Sequence, residues 1–297
     1  MKTGWLVINQ FLHTPKFEEI YQWLELAAGR HEMNLIRYTN AQLMCQFDNR
    51  GELFGLPAQR PDFVLFMDKD IRLGRSLEGA GLRLFNCAKA VQICDDKSLT
   101  IMALMNSGIR MPKTVLAPMT YSNIGYTDTG FLDQVEVLGY PLIAKECFGS
   151  FGQQVYLVKN REALERLVSE KKGIALLFQE YVKSSRGRDI RINMVGGEPV
   201  AAMYRYNEDD FRANITNGGK MKPYTPTAEQ IDMARKVCQT ISLDFAGVDI
   251  LFGPEEEPVF CEVNSNAHFK NIYDCTGINV ADAMMEYIKK QICHGQK

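Results

Sequence analysis

Two acidic residues near the C-terminal end of the sequence lie inside apolar stretches, and charged residues are unusual in such stretches. Asp249 is flanked by valine and isoleucine, Glu262 by cysteine and valine, and Asn264 follows two positions later. Because side chains alternate along a strand, Glu262 and Asn264 point to one face, and Asp249 can lie opposite them on a paired strand. Two carboxylates and an amide oxygen suit Mg²⁺ or Mn²⁺. From these residues alone, a metal site and the solvated outer face of an edge hairpin are equally good interpretations.

Two predicted β-hairpins position these residues. Residues 245–252 and 258–264 are apolar and β-rich, and a Gly-Pro step followed by three glutamates separates them. Such runs, bounded by glycine, proline and charge, are typical of a hairpin. Residues 189–195 and 199–206 alternate around a Gly-Gly turn and predict a second hairpin, with Arg205 on its returning strand.

A lysine and a glycine-containing loop precede these hairpins. Lys145 ends a predicted strand, residues 148–154 contain Gly149 and Gly152, and residues 155–158 form the next predicted strand. Loop amides can approach phosphate oxygens while the lysine neutralises their charge, so the pattern predicts a phosphate-binding loop. It lacks Gly-Lys-Ser/Thr and is not a Walker loop, and an ordinary hairpin turn is the alternative.

The first 90 residues alternate predicted strands and helices. Apolar runs at residues 5–8, 34–38 and 62–66 predict strands, and Thr14-Pro15 is typical of a helix N-terminus. This order indicates a small parallel α/β domain. No Gly-x-Gly-x-x-Gly follows the first strand, so the domain carries no dinucleotide fingerprint.

Composition excludes several classes of protein. The 297 residues carry a formal charge of −2, whereas nucleic-acid binders usually have a basic excess. No apolar stretch is long enough to span a bilayer, so no membrane partner is expected. The eight cysteines form no Cys-x-x-Cys pair and the histidines are isolated. This pattern predicts reduced thiols in a cytoplasmic protein without a zinc site.

An ordered series of short motifs spans the chain from the middle of the sequence to its last helix. The series resembles the ATP-grasp carboxylate–amine ligases, most closely the RimK-like branch, over roughly residues 90–292. The motifs, in chain order, are Asp96-Lys97-Ser98-Leu99-Thr100, Lys145 with its glycine loop, Gln179-Glu180-Tyr181-Val182, Asp189-Ile190-Arg191, Phe211-Arg212-Ala213-Asn214, Gly247-Val248-Asp249-Ile250-Leu251, Glu262-Val263-Asn264 and Thr276-Gly277-Ile278-Asn279-Val280-Ala281.

The resemblance implies a fold class and a domain organisation. It predicts the ATP-grasp fold of mixed α/β (α+β) class, with a parallel α/β domain at residues 1–90. A lid subdomain with the phosphate loop would follow at residues 91–182. Residues 183–297 would form a second α+β subdomain that carries the metal site and clamps ATP against the lid.

The resemblance also implies an activity. It predicts an ATP-dependent ligase that joins a carboxylate to an amine through an acyl phosphate, adding an amino acid to a small molecule, a peptide or a protein terminus. The cofactors would be ATP and Mg²⁺ or Mn²⁺, as two ions, and a homo-oligomer is consistent with the family. A D-alanine–D-alanine type of dipeptide ligase and a non-catalytic nucleotide-binding regulator are the alternatives.

The resemblance assigns roles to individual residues. Asp249, Glu262 and Asn264 match the metal ligands, and Arg191, Arg212 and Lys145 match groups that act on the transferred phosphoryl group. The positions expected to bind ATP are Lys97, Lys145, Gly149, Ser150, Phe151, Gly152, Gln153, Glu180, Tyr181, Val182, Asp189 and Arg212.

The sequence departs from the family pattern directly after Asn264. Many relatives continue with a small residue, proline and glycine, whereas this chain continues with polar residues at 265–271. In the family this segment borders the acceptor site, so we expect it to contribute to substrate choice, with Lys270 as a candidate carboxylate anchor. A loop with incidental polar residues is the alternative. The candidate substrate-binding residues are Arg205, Asn214, Asn266, His268 and Lys270.

Overall fold

The computed structural model describes residues 1–12, 14–150 and 152–294. The first part of the chain confirms the predicted parallel sheet, whose strand order is β2-β1-β5-β6, with β3 and β4 forming a separate short ladder. Its elements are β1 (Lys2–Ile8), α1 (Pro15–Arg30), β2 (Met33–Thr39), β3 (Gln46–Phe47), β4 (Leu53–Phe54), β5 (Phe63–Phe66), α2 (Ile71–Gly79), β6 (Leu84–Phe85), α3 (Ala88–Asp95) and α4 (Lys97–Ala103).

Helix α1 shows how the sequence sets these elements. The Thr14 hydroxyl accepts a hydrogen bond from the Phe17 amide, and Pro15 occupies the first helical position. Ile20 and Leu24 recur at helical spacing and are buried against the sheet. The start of this helix is therefore fixed at the carboxyl edge of β1, where parallel sheets bind ligands.

The middle of the chain forms an antiparallel sheet with strand order β7-β10-β8-β9. A single-turn helix from Glu136 to Leu138 follows α5, and Asn160 caps α6 through its side-chain oxygen. The core between sheet and helices contains Leu142, Leu164 and Phe178. The elements are β7 (Thr114–Leu116), α5 (Leu132–Val135), β8 (Leu142–Glu146), β9 (Val155–Val158), α6 (Arg161–Glu170) and β10 (Leu176–Glu180).

The last part of the chain forms an antiparallel sheet with strand order β13-β12-β11-β14-β15. Both predicted hairpins are confirmed, and Thr227 with Gln230 forms a capping box at α7. The elements are β11 (Arg188–Val195), β12 (Glu198–Tyr206), β13 (Lys220–Pro223), α7 (Ala228–Ile241), β14 (Phe245–Phe252), β15 (Pro258–Asn264), α8 (Lys270–Thr276) and α9 (Val280–His294), with short 3₁₀ turns at Lys183–Ser185 and Ile215–Asn217.

Strand alternation divides this last sheet into an apolar face and a charged face. Ile190, Val248 and Ile250 are fully buried in the core that α7 covers. Asp189 and Asp249 alternate with them and point the other way, toward the antiparallel sheet formed by β7 to β10. The charged face lines the cleft between the two sheets, which makes this cleft the candidate active site. Among the helices that the structure describes, none combines the length and hydropathy required of a bilayer-spanning segment.

Candidate active site

Strand register brings the predicted metal ligands together. Asp249 on β14 pairs directly with Glu262 on β15, and Gly247 pairs with Asn264. Directly opposed residues of an antiparallel pair share a face, so the expected common face is confirmed. The register shifts after Asp249, which leaves Cys261 as an extra residue in β15. Without this bulge, Glu262 would point to the opposite face.

Asp249 is bound by two arginines. Its two carboxylate oxygens accept hydrogen bonds from Arg191 Nε at 2.6 Å and Nη2 at 2.7 Å, and Arg205 Nη2 lies 3.0 Å from one of them. The residue is only 4% exposed. Burial acts to raise the pKa of Asp249, but the charges of Arg191 and Arg205 outweigh it and lower that pKa. Asp249 is therefore held as a carboxylate.

The same arrangement repeats one pair along the hairpin. Arg205 donates to both oxygens of Asp189, at 2.6 and 2.8 Å, as well as to Asp249. Register explains the geometry, because Asp189 pairs with Arg205 and Arg191 pairs with Asp249 across adjacent strands. We call Arg191, Asp249, Arg205 and Asp189 the arginine–aspartate network. Its charges balance within the network, which is what a buried ionic cluster requires.

The donor set around Asp249 fits a hard cation. Asp249 and Glu262 supply carboxylate oxygens, and Asn264 supplies an amide. The Asn264 side-chain nitrogen is buried and has no hydrogen-bond partner within the described ranges. No group of three or more His, Cys, Asp or Glu side chains arranged around a metal occurs in the described residues. An all-oxygen set of this kind suits Mg²⁺ better than zinc.

Two lysines from the part of the chain before β11 lie beside Glu262. Lys145 lies on β8 and is largely buried, and Lys97 is in the first turn of α4, which Asp96 caps. Together with Glu262 and Cys261 they line one small cavity. Lys97 Nζ donates a hydrogen bond to the Gly149 carbonyl at 3.0 Å. Both predicted phosphate-binding lysines thus lie beside the predicted metal ligands.

The glycine loop closes over the same space. Gly152 has a φ of 71°, and a Cβ there would lie 2.5 Å from the Asn214 side-chain oxygen, so only glycine fits. Arg212 Nη1 donates to the Gly152 carbonyl at 2.8 Å while its Nε and Nη2 pair with Asp210. Gly149 also has a positive φ, of 141°. The loop is therefore held between the two sheets.

The remaining loop residues differ in position. The Gln153 amide donates to the Ser150 carbonyl at 3.4 Å, and the Gln153 side chain is exposed. Phe151, which was expected to contact ATP, lies outside the described residues. The role of Ser150 and Gln153 at the phosphates stays a prediction.

A slot with apolar walls extends from Lys145 to residues 180–182, where the chain leaves β10 and passes to the last sheet. It belongs to a cleft with about 750 Å³ of empty space. Glu180, Tyr181 and Val182 line it as predicted, and Ile143 and Leu251 supply apolar walls from the two sheets. The Glu180 carboxylate accepts a hydrogen bond from the Lys113 amide at 3.0 Å. A planar base fits such a slot, with polar groups at one rim.

Residues of the cleft that sequence reasoning missed include Ser185, Arg188 and Cys261. Arg188 and Ser185 line it next to Asp189, and the basic run that precedes β11 was the available signal for Arg188. Cys261 faces the cleft because of the β-bulge, and burial raises the pKa of its thiol to about 11. Strand alternation alone would place Cys261 on the other face, so the sequence carried no signal for it.

The divergent segment after Asn264 contacts the first domain. The Asn266 amide donates to the Asp68 carbonyl at 3.0 Å, and His268 Nε2 lies 3.3 Å from the Lys16 carbonyl. Lys270 begins α8, and its ammonium group pairs with carboxylates of Glu19 and Asp274. Burial lowers the pKa of His268 to about 4, so its ring is neutral. The proposed roles of these residues in substrate choice stay predictions.

Comparisons with known proteins agree with this geometry. The family model of the RimK-like ATP-grasp domain matches residues 94–288. The chain is 33% identical to a ribosomal protein bS6–L-glutamate ligase from Escherichia fergusonii, covering 73% of this chain and 70% of that protein. It is 31% identical to the human N-acetylaspartylglutamate synthase A, covering 74% of this chain and 56% of that protein.

A solved structure shows the same fold across nearly the whole chain. A RimK domain ATP-grasp protein from Sphaerobacter thermophilus superposes with a TM-score of 0.72 at 16% sequence identity, covering 96% of this chain and 98% of that one. The likeness therefore includes the first domain, where the sequence resemblance was weakest.

Proposed function

The chain belongs to the RimK-like ATP-grasp family of ATP-dependent carboxylate–amine ligases, and from this premise we propose that it joins an amino acid to a carboxylate through an acyl phosphate. The observation that carries the proposal is that Lys97, Lys145, Asp249 and Glu262 line two cavities that share Lys145 and Glu262. Cations and carboxylates in this arrangement suit phosphoryl transfer, which depends on positioning and charge more than on covalent help from the protein.

ATP would occupy the cleft with its base in the apolar slot. The adenine would lie between Ile143 and Leu251, with Glu180 and the backbone of Val182 at its polar edge. Asp189, near the expected ribose, is already bound by Arg205, so its contribution would be to hold that arginine. The triphosphate would reach the two lysines and the amides of the glycine loop.

Asp249, Glu262 and Asn264 would hold Mg²⁺, as one or two ions. When bound, the metal supplies charge that offsets the phosphate oxygens of ATP. Asp249 contributes to this role in a fixed position, because Arg191 and Arg205 hold both of its oxygens. Glu262 is the freer of the two carboxylates, since the described residues place no ion pair on it.

The reaction would have two steps. A substrate carboxylate oxygen attacks the γ-phosphorus, and the bond from that phosphorus to the ADP oxygen breaks. The amine then attacks the acyl carbon, the C–O bond to phosphate breaks, and the amine releases a proton. Lys145, Arg191 and Arg212 would stabilise the charge that develops on phosphate oxygens in both steps.

The amine substrate would be an amino acid, and L-glutamate is the first candidate. Both curated relatives described above carry glutamate in their names. The divergent segment at residues 265–271 leaves the carboxylate substrate open to a metabolite, a peptide or a protein terminus.

ADP release with Mg-ATP, a panel of amino acids and a panel of carboxylates tests the proposal. We expect ADP to form only when both an amino acid and a carboxylate are present, and mass spectrometry to find a product heavier than the carboxylate by one amino-acid residue. Tight Mg-ATP binding without amino-acid-dependent ADP release would instead favour a nucleotide-binding regulator.

A further inference from the structure

The first turn of helix α1 carries a lysine beside the divergent segment at residues 265–271. Lys16 occupies the first turn of α1, and its carbonyl oxygen contacts His268 Nε2 at 3.3 Å. The ring of Phe17 packs edge-on against the His268 ring, with 5.3 Å between their centres. Helix α1 thus forms a wall beside the segment that follows the predicted metal ligand Asn264.

This wall lies next to the arginine–aspartate network. A Cβ on Gly247 would lie 2.6 Å from Ala267 Cβ and 3.6 Å from Arg191 Nε, so the divergent segment passes over Arg191. The positive charge of Arg191 is also close enough to affect both Lys16 and His268, lowering the pKa of each. Gly247 lies two residues beyond Asp249 on β14, further from the nucleotide slot, so the wall formed by α1 and His268 lies on the side of Arg191 away from that slot.

Among the described cations of this region, Arg191 and Lys270 are compensated by carboxylates and Lys16 is not. Arg191 is paired with Asp249, and Lys270 is paired with Glu19 and Asp274. No residue in the described part of the chain forms a hydrogen bond or ion pair with the Lys16 ammonium group. Partial burial lowers the pKa of Lys16, Lys270 and Arg191 lower it further, and only Asp274 opposes them. A half-buried cation among cations is stabilised by an anion.

We propose that Lys16 binds a free carboxylate of the amino-acid substrate, one that is not phosphorylated in the reaction. This inference rests on the proposed ligase function. Lys16 does not line the nucleotide cleft, so its anion is not part of ATP. An amino acid that attacks an acyl phosphate must keep its own carboxylate away from the γ-phosphoryl group, and a lysine beyond Arg191 does this. Lys16 is thus a specificity-determining residue, whereas the ammonium group of Lys270 is already paired.

Kinetics with L-glutamate and its α-amide test the inference. We expect Lys16→Met to raise the KM for L-glutamate roughly 10- to 100-fold, as loss of a charge-assisted hydrogen bond should. The KM for ATP and the kcat should stay within about threefold, and Lys16→Arg should retain most of the affinity. Lys89→Met, at an exposed lysine, is the matched control and should leave every constant unchanged.

The α-amide and the γ-amide identify the carboxylate that is bound. If Lys16 binds the α-carboxylate, wild-type enzyme loses affinity for the α-amide, and Lys16→Met causes no further loss with that substrate. If it binds the γ-carboxylate, L-glutamine behaves in this way instead. Equal losses on L-glutamate and both amides, or an unchanged KM for L-glutamate in Lys16→Met, would overturn the inference.

The outcome can be separated from that of the proposed function. Should another amino acid support ADP release, the same comparison is made with that amino acid and its α-amide. If no amino acid supports ADP release, the proposed ligase activity fails. Acetylation of lysines by acetic anhydride then tests whether Lys16 binds a carboxylate. Protection of Lys16 but not Lys89 by L-glutamate in the presence of Mg-ATP would support carboxylate binding, and equal labelling would contradict it.

Discussion

The two walls of the cleft hold their charged groups in different ways. On the sheet formed by β11 to β15, Asp249 and Asp189 are paired side chain to side chain with Arg191 and Arg205. On the opposite wall, which α4 and β8 form and which we call the lid wall, the Lys97 ammonium group donates only to a loop carbonyl within the described ranges. Paired charges support both folding and chemistry, whereas the lid cation is free to bind phosphate. Mutations on the two walls should therefore separate stability from activity.

The largest effect is expected at Asp249. Asp249→Asn should lower kcat/KM about 10³-fold and destabilise the fold by about 3–5 kcal/mol, because the buried Arg205 and the partly buried Arg191 lose their shared carboxylate. Urea denaturation and ADP release measure the two effects. Glu262→Gln is the matched control on the same sheet face, and it should lose activity with little loss of stability. Equal destabilisation by both variants would remove the distinction between paired and unpaired carboxylates.

Lys145 should differ from Asp249 in affecting activity without affecting stability. Lys145→Met should reduce kcat/KM for ATP roughly 10²- to 10³-fold, because a cation facing the phosphates is lost from a water-poor cleft. The free energy of unfolding should change by less than about 1 kcal/mol, since the methionine keeps the apolar stem. A loss of stability as large as that of Asp249→Asn would show that the lid wall is also held by paired charge.

Gly152 joins the two walls and should give an intermediate effect. Gly152→Ala introduces a Cβ against Asn214 at a positive φ, so we expect the KM for ATP to rise roughly tenfold. Adding Asn214→Ala should recover part of the loss by removing the clash. Gly197→Ala is the matched control, because Gly197 has a φ of 83° but open space around it. Gly197→Ala should lower the free energy of unfolding and leave the KM for ATP unchanged.

His268 tests how a buried group without a charged partner affects stability, in contrast to the paired Asp249. The Nδ1 atom of His268 is buried and has no hydrogen-bond partner among the residues that the structure describes, and burial lowers the pKa of the ring from the ordinary 6.5 to about 4. The unfolded chain thus binds the proton more tightly, so stability falls as pH drops from about 6.5 to 4. His268→Gln should reduce this fall by about 1–2 kcal/mol after allowance for partial exposure. If the denaturation curves of His268→Gln matched those of wild type at both pH 4 and pH 6.5, the ring of His268 would not be buried in its neutral form.

Period-two alternation explains why the sheet wall was predictable. Asp249, Glu262 and Asn264 are conspicuous in apolar strands, and the register confirms that they share a face. The bulge at Cys261 was not predictable, because one extra residue leaves no compositional mark. The arginine–aspartate network was also missed, since Arg191 was assigned to phosphate from its motif and Arg205 was named only as a candidate substrate-binding residue. Which charges pair depends on strand register, which the sequence does not state.

Prediction was weaker wherever two distant parts of the chain meet. Helices α2 and α3 were not anticipated, and neither was α8, which begins at Lys270 inside the segment that was expected to contribute to substrate choice. Short helices are set by tertiary packing more than by propensity. Lys16 carried no motif, and its importance follows only from the contact between α1 and His268. The domain limits at residues 90 and 182 stay predictions.

The acyl phosphate is the central claim, and isotope transfer tests it most directly. The carboxylate substrate found in the ADP-release screen is labelled with heavy oxygen and turned over with Mg-ATP and the amino acid. Attack of the carboxylate on the γ-phosphorus places one of its oxygens in the released phosphate, so mass spectrometry should find one labelled oxygen per phosphate. Unlabelled phosphate, formed together with a correct amide product, would contradict the mechanism.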